Sequence, residues 1–456
     1  MNVPSTWATW ATWARWATWA RWATWARWPG RALLAAALVV ATLVAVRGGH
    51  VDLEVYARAG ERWLSGLDPY AVRPEYPFTY PPFAAVLAAA VTLAPSLSLV
   101  VLGVATAGAA AWAAQTVWLA DVDPQDGADG GAVLTTARTD RLPVVLALAV
   151  GSEPVLRGLH LGQVNGVVVG LVLVDLLVVP VRHRGWLTGL AAGLKLTPLV
   201  FGLHLAVRRE SRALTHLALG FVLTVVIGLV ALPRSAVRFW SELVVRADRV
   251  GDPGYVDNQS LLGAATRAVP GAAVPVWVVA AVVVLGLAVV AMVRRRRRPP
   301  VEGVVVAGLA GLLVSPISWS HHWLLLPAAG LLCWREGARL LGGVTVVVAV
   351  TAPQWSTALT GLPGPVGQLA ASSVTVVGVA CLAALARTAA APAPTASRPV
   401  AQARRGRRSG ELVTADRMPT WEKTRAAAAT TASSTRPTPY CGSSFSYVAP
   451  STSGGK

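Results

Sequence analysis

The chain has 456 residues, of which 54% are hydrophobic and only 14% are charged, and its mean hydropathy is +0.54. Soluble domains carry about 25% charged residues, so this composition excludes an ordinary soluble protein and indicates one membrane domain with polar ends. The formal net charge of +18 comes from short basic clusters between apolar runs. That distribution follows the positive-inside rule, so we expect membrane lipids and not nucleic acid as their partner.

Both ends of the chain differ from the middle. Residues 1–30 form a low-complexity repeat in which Trp recurs at every third position from Trp7 to Trp28. Two interpretations stay open: an interfacial aromatic segment, or a translated nucleotide repeat whose start codon lies too far upstream, which we favour. Residues 388–456 are rich in Ala, Pro, Thr, Ser and Arg and predict a disordered cytoplasmic tail. Residues 31–387 are therefore predicted to be the transmembrane domain.

The apolar runs of this domain predict an all-α, polytopic transmembrane helical bundle. A bilayer crossing needs about 20 apolar residues, and we expect about 10–12 membrane helices, including broken or re-entrant ones. The runs near 142–157 and 186–207 are interrupted by Gly, Pro and a charge, and are predicted to be the broken ones. The predicted spans are 32–47, 83–94, 97–119, 163–180, 212–232, 273–293, 302–316, 322–334, 339–352 and 366–387.

The basic clusters orient these spans, because Lys and Arg resist translocation. The clusters near residues 182, 208, 294, 335 and 404 are predicted to lie inside, as are both termini. The acidic stretch 121–129 is then outside. So are the loops 48–82 and 233–272 and the junction 317–322, which hold most of the unusual polar residues. We therefore predict a multi-pass cell-membrane protein whose active face is extracytoplasmic.

The first long outer loop begins at the membrane edge with Asp52 and Glu54. An amphipathic helix follows, with Val55 and Ala59 on one side at helical spacing. A carboxylate at the mouth of an apolar cavity can act as a general base toward a hydroxyl group. Alternatively, Asp52 caps the next helix or marks the interface.

His321 and His322 lie in SPISWSHHW, at a predicted outer membrane edge. Imidazole can hold a phosphate or shuttle a proton, although a satisfied interfacial pair is the simpler alternative. Lys195 lies in the apolar run GLAAGLKLTPLVF, beside Gly193 and Pro198. An intramembrane lysine is costly and usually functional, but it can also cap the carbonyl groups of a broken helix.

Two amide-bearing motifs complete the candidate residues. GQVNG holds Gln163 and Asn165, and DNQSLLG holds Asp257, Asn258 and Gln259. An amide offers both a donor and an acceptor to a sugar hydroxyl group, but a helix-end or loop role is equally compatible with each motif. The sequence contains no HExxH, GxSxG or phosphate-binding glycine loop, and we expect neither a metal nor a cofactor.

Six stretches in order resemble the actinobacterial polyprenol-phosphate-mannose-dependent α-(1→2)-mannosyltransferases, glycosyltransferase family 87, which have the GT-C fold. The resemblance extends from about residue 50 to about residue 335. The stretches are VDLEVYARAGERWLSGLDPY, FTYPPFAAVL, GQVNGVVVGLVLVDL, GWLTGLAAGLKLTPLVF, DNQSLLGAATR and SPISWSHHW.

The resemblance implies a polyprenyl-phosphate-sugar donor and a glycolipid or polysaccharide acceptor on the outer face. It implies that Asp52 is the general base for an inverting transfer, and that a late histidine, His322 rather than His321, lies in the donor-phosphate site. Lys195 is our inference for a second phosphate partner. The predicted substrate-binding residues are His322, His321, Lys195, Tyr56, Tyr80, Gln163, Asn165, Asn258 and Gln259.

Two other functions remain as alternatives at this point. Broken helices with an intramembrane charge are also typical of a lipid or sugar transporter or flippase, and a non-catalytic membrane subunit is the second alternative. The two halves of the chain have no clear inverted repeat, and the long outer loops favour the glycosyltransferase.

Overall fold

The structure is a computed structural model that describes residues 29–71, 76–120, 131–246 and 249–388, without the side chains of 131–137. Within these ranges the regular elements are helices, and an isolated antiparallel bridge joins Asn258 and Trp319. The predicted all-α fold is confirmed. The predictions for the Trp repeat and for the tail beyond Thr388 concern residues outside the described ranges.

The α-helices are numbered in chain order, and a π-helical turn (Val174–Val178) extends the seventh. They are α1 (Pro29–Arg47), α2 (Val51–Leu64), α3 (Pro82–Leu93), α4 (Pro95–Leu119), α5 (Gly131–Val150), α6 (Glu153–Leu161), α7 (Asn165–Leu173), α8 (Trp186–Leu194), α9 (Phe201–Arg208), α10 (Ser211–Ala231), α11 (Pro233–Ser241), α12 (Leu261–Ala268), α13 (Ala273–Arg294), α14 (Pro300–Val314), α15 (Leu326–Arg335), α16 (Arg339–Thr351), α17 (Thr357–Thr360), α18 (Pro365–Ala371) and α19 (Ser373–Arg387).

Four of the described helices, α1, α4, α10 and α13, have the length and hydropathy that a bilayer crossing requires. Two bent pairs meet the same requirement when each is taken as one span: α5 with α6, bent by 48°, and α18 with α19, bent by 82°. The apolar helices α3, α7, α14 and α16 are shorter. The protein is therefore a polytopic membrane protein, as predicted.

Both predicted breaks are present. The first is the bend between α5 and α6. The second is at Lys195, which is extended (φ −154°, ψ 130°) between the end of α8 and a 3-10 turn at Thr197–Val200. The predicted span at 366–387 also contains a bend, of 82°, which the sequence analysis did not predict. There the Gln259 side chain accepts the backbone N–H of Val374 at 3.2 Å, so it caps α19 and stabilises a bend at Ser372.

The prediction that 83–94 crosses the membrane is also wrong. The helix α3 packs along α2, where Gly60 meets the Ala88 backbone and Thr92 donates to the Ala57 carbonyl at 2.8 Å. Its 12 residues extend about 18 Å, against the roughly 30 Å of a bilayer core. The segment that carries Asp52, predicted as an outer loop with one amphipathic helix, therefore forms a pair of helices, α2 and α3.

The ends of α4 and α15 lie together, because Arg335 donates to the Val117 carbonyl at 2.6 Å. The sequence analysis set these ends on opposite sides of the membrane, which is wrong; the stretch 121–129 itself lies outside the described residues. The pair α5–α6 starts beside the same end, where Trp118 donates to the Arg138 carbonyl, and ends at His160, next to α2. The sequence analysis counted α3 as a crossing and did not count α5–α6. The structure reverses both assignments, so the predicted side of every later helix stays the same.

The basic clusters gather at the end of the bundle that holds Arg335. Glu210 pairs with Arg184 at 3.0 Å and with Arg208 at 2.9 Å. Arg208 also donates to the Arg296 carbonyl at 2.9 Å. The predicted grouping of these clusters on one side is consistent with these contacts.

The helix α14 lies at the centre of the described core and is buried on all its faces. Its glycines allow close contacts: Gly303 meets His204 on α9, and Gly308 meets Leu325, just before α15. By packing against both neighbours, α14 fixes the Lys195 break relative to the segment that carries the histidines.

Candidate active site

Asp52 lies in the first turn of α2, where the helix dipole favours a carboxylate. The helix begins after His50, whose positive φ of 47° reverses the chain. The His50 N–H donates to the His160 carbonyl at 2.9 Å, which ties the start of α2 to the end of α6. The chain turns at Gly162, the residue after α6, which also has a positive φ. Gln163 therefore lies next to the start of α2.

Gln163 connects Asp52 with two tyrosines. Its Nε2 donates to Asp52 Oδ2 at 2.7 Å, and its Oε1 accepts from the Tyr56 hydroxyl at 2.9 Å and from the Tyr80 hydroxyl at 3.4 Å. The two hydroxyl groups lie 2.9 Å apart. All four side chains were predicted from the sequence as site residues, and the structure brings them into one network that fixes the Asp52 carboxylate.

Lys195 joins a second network at the helix break. Its Nζ lies 2.9 Å from Asn165 Oδ1 and 2.8 Å from His322 Nε2. Asn165 in turn donates to the His321 carbonyl at 3.2 Å. The Lys195 ammonium also lies 5.6 Å from the centre of the Tyr80 ring, so the second network adjoins the first.

The hydrogen-bond roles follow from the lysine, which can only donate while it is protonated. His322 Nε2 is then the acceptor, and its Nδ1 carries the hydrogen. That Nδ1 is buried without a partner, and so are both ring nitrogens of His321. The third N–H of Lys195 and the Nδ1–H of His322 are donors that a ligand anion can use.

An apolar pocket of about 50 Å³ opens beside these donors. Three of its lining residues are the polar set Lys195, His322 and Asn165, and the others are almost all apolar. Ligand sites usually measure about 300–1,000 Å³, so this small pocket accommodates only the start of a hydrocarbon tail, next to a phosphate group held by the polar set. The remaining lining residues are Val168, Val169, Val172, Thr197, Pro198, Val200, Phe201, Gly308, Gly311, Leu312 and Leu325.

Asn258 and Gln259 are fully buried, and both amides are bonded to the protein itself. Asn258 accepts the Ser318 N–H at 2.9 Å and donates to the Pro316 carbonyl at 3.1 Å. Gln259 donates to the Ala371 carbonyl at 2.8 Å, in addition to its bond to α19. The structure therefore does not bring these two amides to the open site; they hold the segment that leads to the histidines.

The sequence analysis missed two charged residues of α6. Glu153 Oε1 accepts from the Ser320 hydroxyl at 2.6 Å and from Trp355 Nε1 at 3.0 Å, while its Oε2 is buried without a partner. The Arg157 guanidinium lies 5.0 Å from the centre of the Trp355 ring. The available signal was the charge pair at positions i and i+4 in SEPVLRGLHL, inside an otherwise apolar run.

Burial dominates the electrostatics of the site. It raises the pKa of Asp52, while the Gln163 hydrogen bond and the charges of Lys195 and Arg157 act in the opposite direction. A raised pKa is expected of a carboxylate that works as a base near neutral pH. Burial, reinforced by the charge of Lys195, lowers the pKa of His321 and His322 well below the ordinary value, so both rings are neutral at pH 7.

No group of three or more His, Cys, Asp or Glu side chains within the described ranges is close enough to hold a metal ion. These residues place a buried carboxylate on one side and cationic or neutral N–H donors on the other. This arrangement suits the transfer of a group from a phosphate leaving group to a hydroxyl acceptor.

The model of glycosyltransferase family 87 matches residues 78–316, which is just over half of the chain. The chain belongs to glycosyltransferase family 87. It is therefore a membrane enzyme that transfers a sugar, and the transporter alternative is not favoured. No solved structure matches the chain.

Curated relatives of this family 87 enzyme come from mycobacteria. Two are named polyprenol-phosphate-mannose-dependent α-(1-2)-phosphatidylinositol mannoside mannosyltransferase. The one from Mycobacterium tuberculosis is 32% identical over 323 residues, 63% of this chain and 71% of the relative. The one from Mycolicibacterium smegmatis is 33% identical over 348 residues, 68% and 73% of the two chains. A third, the corresponding pentamannoside mannosyltransferase of the latter organism, is 31% identical over 350 residues, 71% and 80%.

The family 87 match includes Tyr80, Gln163 and Lys195 but neither Asp52 nor His322. The structure connects these outer two residues to the matched range through single hydrogen bonds, from Gln163 to Asp52 and from Lys195 to His322. The candidate site therefore combines residues from before, within and after the matched range.

Proposed function

We propose that this enzyme transfers mannose from polyprenyl-monophospho-mannose to a hydroxyl group of a mannosylated glycolipid, forming an α-(1→2) linkage with inversion. The observation that carries the proposal is the arrangement of Asp52 beside a Lys195–His322 pair at the edge of an apolar pocket. The names of the mycobacterial relatives support the donor and the class of acceptor.

In this mechanism the donor phosphate binds at Lys195 and His322, and the polyprenyl chain extends along the apolar pocket toward lipid. The third N–H of Lys195 and the Nδ1–H of His322 donate to the phosphate oxygens. Negative charge grows on that phosphate as the bond to the sugar breaks, so these donors stabilise the transition state more than the ground state.

Asp52 accepts the proton of the acceptor hydroxyl group. The acceptor oxygen forms a bond to the anomeric carbon of a β-linked mannose while the bond from that carbon to the phosphate oxygen breaks. The electron pair leaves with the phosphate, and attack on the opposite face inverts the configuration to α. Gln163 holds the carboxylate in position through its hydrogen bond to Oδ2.

The decisive experiment compares the purified wild type with Asp52→Asn, given polyprenyl-phosphate-mannose and phosphatidylinositol mannosides of different lengths. Asparagine keeps the size and can still accept from Gln163, but it cannot take up the proton. We expect transfer to fall by about 10²- to 10⁴-fold. The matched control is Glu54→Gln, an exposed carboxylate on the same helix, which should transfer normally.

Transfer that persists in Asp52→Asn would remove Asp52 from the mechanism. Absence of transfer by the wild type to every acceptor, combined with movement of the donor lipid across vesicles, would favour the transporter. The linkage in the product, read by NMR of the new anomeric carbon, tests the α-(1→2) assignment and the inversion.

We also propose that the Asp52 end of the bundle faces out of the cell and that the basic end faces the cytoplasm. The basic clusters support this orientation. In a variant without native cysteines, an impermeant maleimide should label Leu67→Cys in intact cells, because Leu67 is exposed just after α2, the helix that carries Asp52. It should label the exposed Arg182→Cys only after permeabilisation; the reverse pattern would invert the orientation.

A further inference from the structure

A second cavity shares no lining residue with the apolar pocket beside Lys195 and has a volume of about 460 Å³. This volume falls in the range of about 300–1,000 Å³ that is usual for small-molecule sites. Its wall is formed by the segment between α16 and α19, together with two residues from the α11–α13 region. The lining residues are Val256, Arg267, Gln354, Trp355, Thr357, Thr360, Leu362, Gly364, Gly367, Gln368 and Ala371.

The lining presents buried donors that have no acceptor in the protein. Gln354 is 2% exposed; its Oε1 accepts from the Ser373 hydroxyl at 3.1 Å, while its Nε2 has no partner. Arg267 Nε is also buried without a partner. Buried polar groups in proteins are almost always paired; these two nitrogens lie just behind the cavity surface, so a ligand with acceptor oxygens reaches them after a small shift of the lining side chains.

Arg267 is the charged residue of this lining, and most of its N–H groups are already used. Its terminal nitrogens donate to the Asn258 carbonyl at 2.9 Å, to the Tyr255 carbonyl at 3.1 Å and to the Ser372 hydroxyl at 2.9 Å. The other polar groups are amides and threonine hydroxyls, next to the flat indole of Trp355. Amides, hydroxyls and an aromatic face are the groups that recognise a sugar, which offers many hydroxyl groups and an apolar ring face.

Trp355 connects this cavity to the candidate active site. Its Nε1 donates to Glu153, which also accepts from Ser320, the residue before His321. Its ring lies under the Arg157 guanidinium, whose charge acts on Asp52. Trp355 therefore both lines the cavity and contacts Glu153 and Arg157, the two charged residues of α6 next to the histidine segment.

Nine of the eleven lining residues lie beyond residue 316, where the family 87 match ends. Of the donor-side residues, Asn165 and Lys195 lie inside that match, whereas His322 lies beyond it.

We propose that this cavity is an acceptor-glycan subsite, which binds the mannosyl residues next to the sugar that receives the new mannose. The inference rests on the proposed function for the identity of the acceptor. It predicts that the enzyme distinguishes acceptors by the length and branching of their glycan, through contacts made on the far side of Trp355.

Binding is tested without the donor, so that the result does not depend on transfer. The probe is the methyl glycoside of α-(1→2)-mannobiose, observed by saturation-transfer NMR with the full-length protein in detergent. The variants are Gln354→Leu, which removes the unpaired donor, and Leu362→Trp, which fills the cavity. The matched control is Leu359→Trp: Leu359 and Leu362 are both 43% exposed, but Leu359 does not line the cavity.

We expect the wild type and Leu359→Trp to bind the disaccharide, and Gln354→Leu and Leu362→Trp to lose at least tenfold in affinity. In transfer assays the same two variants should raise the KM for a dimannosylated acceptor and leave the KM for the donor unchanged. A third variant, Gln368→Ala at an exposed position, should lower the affinity even if the other two do not fold.

Equal binding of the disaccharide by all variants would overturn the proposal, and so would wild-type protein that binds inositol 1-phosphate at this site but no disaccharide. If the cavity variants lose disaccharide binding as expected but Asp52→Asn transfers normally, the subsite stands and only the assignment of Asp52 as the base is refuted. The two failures are therefore distinguishable.

Discussion

Gln163 Nε2 lies 2.7 Å from Asp52 Oδ2, and this single hydrogen bond joins two residues that are 111 positions apart in the chain. The other end of the Gln163 amide is held by Tyr56 at 2.9 Å, so the amide cannot rotate away. The bond therefore both orients the carboxylate and stabilises its charged form. Gln163 is a positioning residue of the proposed reaction.

The variant Gln163→Leu tests this role. Loss of the hydrogen bond leaves a mobile carboxylate with a still higher pKa, because the bond opposes the effect of burial. We expect kcat to fall by about tenfold or more, as happens when a group that orients a general base is lost, with little change in the KM for the donor. The acid limb of the pH profile should also move to higher pH.

The pH profile separates positioning from a merely structural role. A fall in kcat with an unchanged acid limb would mean that Gln163 supports the fold but does not act on Asp52. Gln115→Leu, a glutamine replaced on α4, provides the matched control and should leave both the rate and the profile as in the wild type.

The acid limb of the wild type should itself reflect Asp52. The carboxylate is active when ionised, and its pKa lies above the ordinary value of 3.8, so activity should fall as the pH drops through that raised pKa. Arg157→Gln removes a positive charge that lowers this pKa, and the limb should then move further to higher pH. We expect kcat/KM measured from pH 4 to pH 8 to show both effects; a limb that does not move in the variant would contradict the influence of Arg157.

Asn258 should behave differently from Asp52, because its amide is bonded to Ser318, Pro316 and Pro253 and is fully buried. Asn258→Ala leaves several buried backbone groups without partners, at about 1–3 kcal/mol for each group. We expect a lower thermal unfolding midpoint together with lower activity. Asp52→Asn should lose activity with no fall in the midpoint, and an Asn258→Ala protein of wild-type stability that does not bind the acceptor would instead support substrate recognition.

The all-α fold and the four long spans α1, α4, α10 and α13 could be predicted, because the length of an apolar run is a property of the local sequence. The region 83–94 was predicted as a span because it is as apolar as one. Its actual position depends on its packing along α2, which the composition does not show. The bend at Ser372 also has no local signal. It depends on the Gln259 side chain, which reaches a backbone N–H 115 positions away.

The residues of the candidate site also fall into two groups, those that the sequence indicated and those that it did not. Asp52, Lys195 and His322 could be singled out because a charge or an imidazole beside an apolar run is unusual, and the resemblance brought them into one mechanism. Glu153 and Arg157 were passed over, since their significance depends on Trp355, which is 202 positions from Glu153. Residue types and local spacing do not predict contacts between residues so far apart in the chain.

Lys195 provides the most direct test of the donor-phosphate site, because it is the only lysine in the described part of the chain. Lys195→Met keeps the length of the side chain and removes the charge and the donors to Asn165 and His322. We expect transfer to fall by about 10²- to 10³-fold, the usual effect of losing one donor to a developing negative charge. Arg182→Gln, at an exposed position at the other end of the bundle, controls for the change in total charge and should transfer at the wild-type rate.

The type of defect identifies the role of Lys195. If the lysine binds the donor phosphate, then Lys195→Met should weaken the binding of polyprenyl phosphate, while Lys195→Arg, which keeps the charge, should recover part of it. His322→Ala should add little to the loss in Lys195→Met, because the two side chains act on the same phosphate and their effects are not additive. Undiminished binding of polyprenyl phosphate by Lys195→Met would leave Lys195 as a cap for the broken helix, and the phosphate would have to bind elsewhere.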